Sequence, residues 1–277
     1  MMRTVQIRSK DANFQKFIVL KTNRNKRYKY NQFFVEGVRN LNEAVRNGWH
    51  VSSFLYSGAR PLSGWATDML KTVHTDVNYE LSPELLAELS GKEDTSELMA
   101  IVEMRSDDLN AVSFSPNPLI ALFDRPSNRG NLGTVIRSCD SLGIECLIIT
   151  GHAVDLYDPD TVVSTMGSFF NVPVIRVPDN KTVQEFVSSM KEKYPGFKAI
   201  GTTAHKEKTI SDLDMKTPTM LMIGNETDGL CGAFKELCDV QGTIPMALDS
   251  SASSFNVACA ATVMFYEARR QRGYLFD

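Results

Sequence analysis

The 277-residue sequence has no apolar run near the roughly 18 residues that a membrane span needs, and its N-terminal residues lack the apolar core of a signal peptide. Its five cysteines are odd in number and show no CxxC spacing, which favours buried free thiols over disulfides or a metal centre. The four scattered histidines give no metal-ligand pattern. We therefore expect a cytoplasmic protein that requires no metal and has no membrane partner.

Low-complexity tracts are also missing, and the 43% apolar and 23% charged content is ordinary for a folded protein. A chain of this length accommodates a small domain and a larger one, each with its own core. The polar, proline-punctuated stretch 106–118 is typical of a linker. We predict one domain over residues 1–105 and a second over residues 119–277.

The net charge of −3 conceals a basic N-terminal region. Residues 1–50 contain eleven Lys and Arg against three Asp and Glu, and the densest run extends from Lys21 to Tyr30. A solvated basic face is the commoner structural interpretation. Interleaved tyrosines favour RNA, because aromatic rings stack on unpaired bases while cations hold phosphates. The RNA-binding candidates in this run are Arg24, Lys26, Arg27, Tyr28 and Lys29.

Local patterns in the first hundred residues predict a small α/β domain. Apolar residues at helical spacing follow residue 37, and strand-like runs occupy Val51–Tyr56 and Leu98–Glu103. Ser82 and Pro83 mark the start of a helix, and Gly91 marks its end.

From Leu119 onward, short apolar runs alternate with helical stretches, which predicts βα repeats around a largely parallel sheet. In such sheets, ligands bind beyond the carboxyl ends of the strands. The chemistry is therefore to be sought in the loops after the strands. The predicted strands are 119–123, 145–149, 172–177, 198–202, 220–223 and 240–245.

The first such loop extends from Asp124 to Gly133 and leads into a helix predicted over Thr134–Leu142, with Arg137 one turn in. Glycines at a strand-to-helix turn let the backbone approach a ligand, and a helix N-terminus favours an anion. The spacing lacks the G-x-G-x-x-G of dinucleotide-binding enzymes. From this segment alone, a purely structural role stays open, with Asn131 as a helix cap and Arg137 as a surface residue.

Two further segments carry polar side chains at equivalent places. Gly224–Leu230 places Glu226 between two glycines, an arrangement that by itself is typical of a turn. After a serine-rich stretch, a small-residue apolar helix follows, capped by Ser253 or Ser254 and with Asn256 in its first turn. Its apolar circumference predicts contacts with its own sheet and with a second subunit.

Taken in order over residues 118–270, the three segments resemble the SpoU, or TrmH-like, family of RNA ribose methyltransferases in the SPOUT superfamily. More loosely, Phe34–Arg39 resembles the opening helix of the RNA-binding domain that precedes many members, which adds Arg39 to the RNA-binding candidates. The resemblance implies an α/β fold: a C-terminal parallel-sheet domain with a deep trefoil knot, an exception to the usual absence of knots, plus a small N-terminal α/β RNA-binding domain.

The resemblance also implies site residues, carried over by motif position. The catalytic candidates are Asn131, Arg137, Glu226 and Asn256. Residues expected to line a pocket for S-adenosylmethionine in the knot are Thr202, Thr203, Ala204, Gly224, Asn225, Ile244, Met246, Ser254, Phe255 and Ala258. Phe255 departs from the family's usual Leu, and the spacer 247–253 is longer than usual.

The family's first-motif arginine is proposed as the general base, but a guanidinium with a pKa above roughly 12 is a poor proton acceptor. We therefore keep two roles for Arg137. It accepts the 2′-hydroxyl proton, or it clamps a phosphate while Glu226 or solvent takes the proton.

The expectation from the whole sequence is an S-adenosylmethionine-dependent RNA 2′-O-ribose methyltransferase that forms a homodimer through the knot region. Ribosomal RNA is favoured over transfer RNA, because an appended substrate domain is more typical of the family's ribosomal-RNA members. The alternatives are a non-catalytic RNA-binding protein, a base methyltransferase and a nucleotide-dependent oxidoreductase, the last of which lacks its glycine fingerprint.

Overall fold

The computed structural model describes residues 3–203 and 208–273, and the chain divides into two compact units. Unit 1 comprises the residues up to Arg105 together with Asp155–Asn171, and unit 2 comprises Ser106–Val154 and the residues from Val172 onward. The first break thus falls where the sequence predicts a domain end. The assignment of 155–171 to unit 1 was not predicted. No helix in the described ranges is long and apolar enough to cross a membrane.

Unit 1 contains a five-stranded sheet in the order β1-β4-β3-β5-β2, with β5 antiparallel to both of its neighbours. The helix α5 begins and ends where the sequence predicts, with the Ser82 hydroxyl accepting from the Leu85 N–H and Gly91 in the left-handed conformation. The elements are β1 Thr4–Ile7, α1 Ala12–Thr22, α2 Arg24–Tyr30, β2 Gln32–Glu36, α3 Val38–Arg46, β3 Val51–Tyr56, α4 Gly64–Thr72, β4 Asn78–Leu81, α5 Pro83–Ser90 and β5 Leu98–Glu103, with α7 Pro159–Ser164 added from the later segment.

The segment 155–171 belongs to unit 1 because aromatic and charged residues bind it there. Tyr157, Phe169 and Phe170 pack around the buried Phe33 ring of β2, and the Trp49 indole N–H donates to the Phe170 carbonyl at 2.9 Å. These contacts join positions more than a hundred residues apart, so no local pattern in the sequence predicts them.

The structure corrects the prediction that Arg27 binds RNA. Its side chain is only 2% exposed and forms ion pairs with Asp155 at 2.5 Å and Asp158 at 3.2 Å. The same guanidinium donates to the carbonyls of Leu20 and Lys21, at the end of α1. A buried charge must be paired, and here the pairing ties α1, α2 and the segment 155–171 together. Arg27 is therefore a structural residue.

The other RNA-binding candidates differ in exposure. Arg24, Lys29 and Arg39 are exposed, and Lys26 is half-buried. The half-buried Tyr28 donates its hydroxyl to Asp155 Oδ1 at 2.8 Å, so its phenol is engaged within unit 1.

Unit 2 contains a seven-stranded sheet in the order β10-β12-β9-β11-β6-β7-β8, in which all neighbouring strands are parallel. The sheet confirms the predicted α/β class. The six predicted strands are present, with shifts of one to two residues at several ends. The elements are β6 Leu119–Phe123, α6 Arg129–Leu142, β7 Cys146–Thr150, β8 Val174–Val177, α8 Asn180–Lys193, β9 Lys198–Thr202, β10 Lys208–Thr209, β11 Thr219–Ile223, α9 Gly232–Leu237, β12 Val240–Thr243 and α10 Val257–Gln271.

The strands β6, β7 and β11 are buried along their whole length, as expected of a parallel sheet covered on both faces. The helices α8 and α9 contribute to the core on one face, while α6 and α10 pack against each other, with the Ser138 and Thr262 hydroxyls 2.7 Å apart. Part of the predicted linker also belongs to the core: Leu109 is buried, and Val112 and Phe114 pack beside it. The stretch 106–118 thus contributes side chains to the core of unit 2.

Candidate active site

The helix after β6 begins earlier than the sequence predicts. Asn128 is its N-cap and accepts from the Asn131 N–H at 2.9 Å, so α6 starts at Arg129 rather than at Thr134. Asn is among the preferred capping residues, and the two glycines in the first turns do not interrupt the helix. Asn131 therefore lies in the first turn, close to the carboxyl end of β6, and Arg137 lies six residues further along.

The last helix has a different cap from the one expected. Asn256, not Ser253 or Ser254, caps α10, because its side-chain oxygen accepts from the N–H groups of Ala258 at 2.9 Å and Cys259 at 3.3 Å. With the oxygen used in this way, the amide nitrogen points outward. It donates to Asn131 Oδ1 at 3.2 Å.

A hydrogen-bonded chain joins the three motifs. Asn131 accepts from Asn256 and donates its own amide nitrogen to Glu226 Oε1 at 3.2 Å. Because the cap orients the Asn256 amide, and Asn256 in turn orients Asn131, each donor and acceptor along the chain has one compatible arrangement. Three of the four catalytic candidates, separated by up to 125 residues, therefore form one polar cluster at the carboxyl edge of the sheet.

Ser127, which is not among the predicted site residues, also binds Glu226. Its hydroxyl donates to Glu226 Oε2 at 2.7 Å and its backbone N–H donates to the same oxygen at 3.2 Å. Burial raises the pKa of the Glu226 carboxyl, but the hydrogen bonds from Ser127 and Asn131 outweigh it, so the pKa lies below its ordinary value. Glu226 is thus an ionised carboxylate whose oxygens are already engaged.

Arg137 is not part of this cluster. It is exposed on α6, on the face that also carries Thr134 and Ser141. Within the described part of the chain, its guanidinium has neither a hydrogen bond nor an ion pair. The fold therefore leaves this cation available to a ligand, while the other three candidates are held by one another.

The predicted cofactor-binding residues start at the ends of two adjacent strands, β9 and β11. The Thr202 hydroxyl donates to the Met222 carbonyl at 3.2 Å and accepts from the Gly224 N–H at 3.3 Å. The Thr203 N–H donates to the Gly242 carbonyl of β12 at 3.0 Å. Thr202, Thr203 and Gly224 are therefore brought together, and Asn225 follows directly. Ala204 lies outside the described residues.

Gly224 occupies a place where no other residue fits. A Cβ built on it would lie 2.4 Å from the backbone carbonyl carbon of Gly229 and 2.5 Å from the Leu230 nitrogen. The turn that carries Glu226 folds back this closely because Asn225 and Gly229 exchange backbone hydrogen bonds of 3.0 and 3.1 Å.

The remaining cofactor-binding candidates lie between β12 and α10, except Ala258, which lies in the first turn of α10. Ile244 and Met246 are half-buried, Ala258 is buried, and Ser254 is exposed. Phe255 is 43% exposed. An exposed aromatic ring suits a flat heteroaromatic ligand, because the ring loses water contact when it is covered.

Among the residues that the structure describes, the fold of unit 1 brings together one cluster of potential metal ligands, His50, Asp76 and Glu103. His50 Nε2 lies 3.4 Å from Asp76 Oδ2 and 4.0 Å from Glu103 Oε1. The three side chains are 44% to 60% exposed, so water can solvate all of these groups. No local sequence pattern indicates this cluster, because its members are spread over 54 positions.

Comparison with known proteins agrees with this geometry. The SpoU rRNA methylase family model matches residues 118–266, which contain all three motifs. The chain belongs to the SpoU rRNA methylase family. The SpoU L30e-like domain model matches residues 11–100, within unit 1. The predicted family is therefore confirmed.

Two relatives within this family cover most of the chain. A 23S rRNA (uridine(2479)-2′-O)-methyltransferase from Streptomyces viridochromogenes is 45% identical over 96% of this chain and 92% of its own length. A 23S rRNA (guanosine(2553)-2′-O)-methyltransferase from Bacillus subtilis is 26% identical over 88% of this chain and 90% of its own.

A solved structure matches equally well. The crystal structure of a SpoU methyltransferase from Streptomyces viridochromogenes in complex with the cofactor AdoMet superposes with a TM-score of 0.89. It is 45% identical in sequence and covers 95% of this chain and 98% of that one. The fold of this SpoU family member is thus the one seen in that cofactor-bound relative.

Proposed function

We propose that this protein transfers a methyl group from S-adenosylmethionine to a ribose 2′-hydroxyl of ribosomal RNA. The observation that carries the proposal is the Glu226–Asn131–Asn256 chain, which joins the three motifs at the edge of the sheet where parallel folds bind ligands. The 45% identical relative, named for 2′-O-methylation of 23S rRNA, supports both the reaction and the substrate class.

The residues present fit S-adenosylmethionine. Thr202, Gly224 and Asn225 lie at the ends of the adjacent strands β9 and β11, where their carbonyl oxygens can accept hydrogen bonds from an adenine or a ribose. Met246 and the exposed Phe255 ring supply apolar surface for the purine. When bound, S-adenosylmethionine supplies an electrophilic methyl group on a positively charged sulfur. The AdoMet-bound relative at TM-score 0.89 supports this assignment.

The polar chain positions the nucleophile. In the transfer, the ribose 2′-oxygen forms a bond to the methyl carbon as the carbon–sulfur bond breaks, and the hydroxyl loses its proton. Each amide nitrogen carries two N–H groups, and Asn131 and Asn256 each use one in the hydrogen-bonded Glu226–Asn131–Asn256 series. The second N–H of each is free to hold a ribose or phosphate oxygen in line for attack, which is the positioning that such a reaction needs.

Arg137 acts as a phosphate clamp in this proposal. Its exposed guanidinium binds a phosphate beside the target ribose, which favours ionisation of the nearby hydroxyl. Glu226 is a weak proton acceptor, because its pKa is lowered and Ser127 and Asn131 already donate to it. The proton therefore passes to water. Near-normal turnover by Arg137→Lys would exclude any need for a planar, bidentate group.

Unit 1 contacts the RNA through its exposed cations. Arg24, Lys29 and Arg39 extend into solvent, and Lys26 is partly accessible. Such cations contribute affinity that weakens as salt concentration rises. The family match over residues 11–100 supports this role for unit 1.

We also propose that the C-terminal segment forms the trefoil knot and that two cytoplasmic copies pair along α10. Its exposed face carries Cys259, Val263 and Tyr266, at the spacing of one helical face, with Tyr266 50% exposed. Sedimentation should give a dimer for the natural protein and a monomer for Val263→Asp. A monomer at micromolar concentration for the natural protein would contradict the pairing.

The decisive experiment supplies methyl-labelled S-adenosylmethionine with either 23S rRNA or transfer RNA, followed by digestion to nucleosides and mass spectrometry. We expect label in a 2′-O-methylnucleoside from 23S rRNA, and little transfer by Asn131→Ala. Asn180→Ala, at an exposed asparagine of α8, is the matched control and should retain activity. A methyl group on the base, label in transfer RNA alone, or RNA binding without transfer would each contradict the proposal.

A further inference from the structure

Arg125 has a backbone conformation that arginine rarely adopts. Its φ is +47°, in the left-handed region where a side chain meets steric strain, and it is the second residue after the end of β6. Such strain persists only where surrounding contacts impose it, and it is concentrated at functional sites.

The first of these contacts is a buried carboxylate. The Arg125 guanidinium makes two parallel hydrogen bonds of 3.0 Å to Asp124, which is 1% exposed. Asp124 also accepts from the Thr150 hydroxyl at 2.9 Å and from the Cys231 N–H at 2.8 Å. Asp124 thus connects β6 to the end of β7 and to the start of α9. Because Asp124 is fixed in this way, it holds the guanidinium in one position.

The second set of contacts is with the turn that carries Glu226. The guanidinium donates to the Gly229 carbonyl at 3.2 Å, and the Arg125 carbonyl accepts from the Asn225 side chain at 2.7 Å. These two partners are the residues that close the turn by their mutual backbone hydrogen bonds. Arg125 is therefore hydrogen-bonded to both ends of the turn, and Glu226 lies between them.

The neighbouring backbone leaves room for this arrangement. A Cβ on Gly151, directly after β7, would lie 2.7 Å from Arg125 Cγ. Gly151 has a φ of +58°, which also favours glycine. Two consecutive strand ends are thus shaped around one arginine side chain.

We propose that Arg125 is a positioning residue for methyl transfer. Held in place by the buried Asp124, Arg125 fixes the Asn225–Gly229 turn and thereby the position of Glu226. Arg125 acts through Glu226, whose carboxylate orients Asn131 at 3.2 Å. This inference rests on the proposed function for its kinetic consequence, but its structural consequence is independent of catalysis.

The test compares Arg125→Lys and Arg125→Gln with the natural protein and with Lys181→Ala, a control at an 84% exposed lysine of α8. Hydrogen exchange is measured on the ligand-free proteins, and kcat and the KM for RNA are measured with S-adenosylmethionine. We expect faster amide exchange in residues 225–229 in both variants but not in the control. We also expect kcat to fall about 100-fold with an unchanged KM for RNA, since a displacement of roughly 1 Å has that effect.

Arg125→Lys keeps the charge but loses the paired hydrogen bonds, so it distinguishes an effect of the paired hydrogen bonds from an effect of the charge alone. Full turnover and unchanged exchange in this variant would overturn the proposal. Equal loss of protection in the strands β6 and β7 would instead assign Arg125 to general folding, which also overturns it. If the natural protein transfers no methyl group while amide exchange at 225–229 still rises in the variants, then Arg125 positions the turn but the proposed function is wrong.

Discussion

Two substitutions of Asn256 separate the two roles of this side chain. Its oxygen caps α10 through the N–H groups of Ala258 and Cys259, and its nitrogen donates to Asn131. Asn256→Ala removes both interactions. Asn256→Asp keeps an oxygen for the cap but replaces the amide donor with a second acceptor, which faces Asn131 Oδ1.

The cap sets the expected change in stability. Loss of an N-cap costs about 1 kcal/mol, so Asn256→Ala should lower the free energy of unfolding by that amount. Asn256→Asp should keep it or raise it by roughly 0.5 kcal/mol, because a carboxylate at a helix N-terminus interacts favourably with the helix dipole. Thermal or urea unfolding measures both values.

Turnover should follow the other interaction. An Asp at position 256 repels the Asn131 oxygen, so the Asn131 amide flips. Its oxygen then faces the Glu226 carboxylate, and the hydrogen bond between Asn131 and Glu226 is lost. Both variants should therefore lose about 100-fold in kcat, as expected for a displaced catalytic group. Asp179→Asn, which makes the reverse exchange at the cap of α8, is the matched control: it should leave kcat unchanged and lower the stability only slightly, because it removes a carboxylate from that helix N-terminus. A fully active, stable Asn256→Asp protein would refute the idea that Asn256 orients Asn131 for catalysis.

Three further predictions follow from particular residues. Arg27→Met leaves two buried carboxylates without their cation, so urea unfolding should show unit 1 destabilised by about 3–5 kcal/mol; Arg24→Met, at an exposed position of the same helix, should have little effect. Because the pKa of Glu226 is lowered in the folded protein, the stability it contributes is fully present above its ordinary value of 4.5 and is lost as the pH falls through the folded value. Melting temperatures between pH 3 and 6 should therefore fall less steeply for Glu226→Gln, and identical slopes would contradict the shift. Gly224→Ala forces a methyl group against the Gly229 backbone, so calorimetry should detect weaker S-adenosylmethionine binding, and unchanged affinity would show that the turn adapts.

Local sequence patterns were sufficient for much of this protein. Alternating apolar runs and turn residues predicted the parallel sheet, because strand and helix periodicity are properties of short segments. The cap at Ser82 and the end at Gly91 are equally local. The order of three motifs was sufficient to predict the family, since the residue types at those positions serve the same chemistry wherever they recur.

Tertiary structure decided which side chains the site can use. Arg27 looks like any other cation of its basic run, and only Asp155, 128 residues later, makes it a buried structural residue. Asn256 becomes both cap and donor because Asn131 lies opposite it. Arg125 carries no signal in the sequence, because its strained backbone is imposed by contacts with separate strand ends. Burial and side-chain pairing depend on residues distant in the chain, so sequence patterns located the motifs and the folded chain assigned their roles.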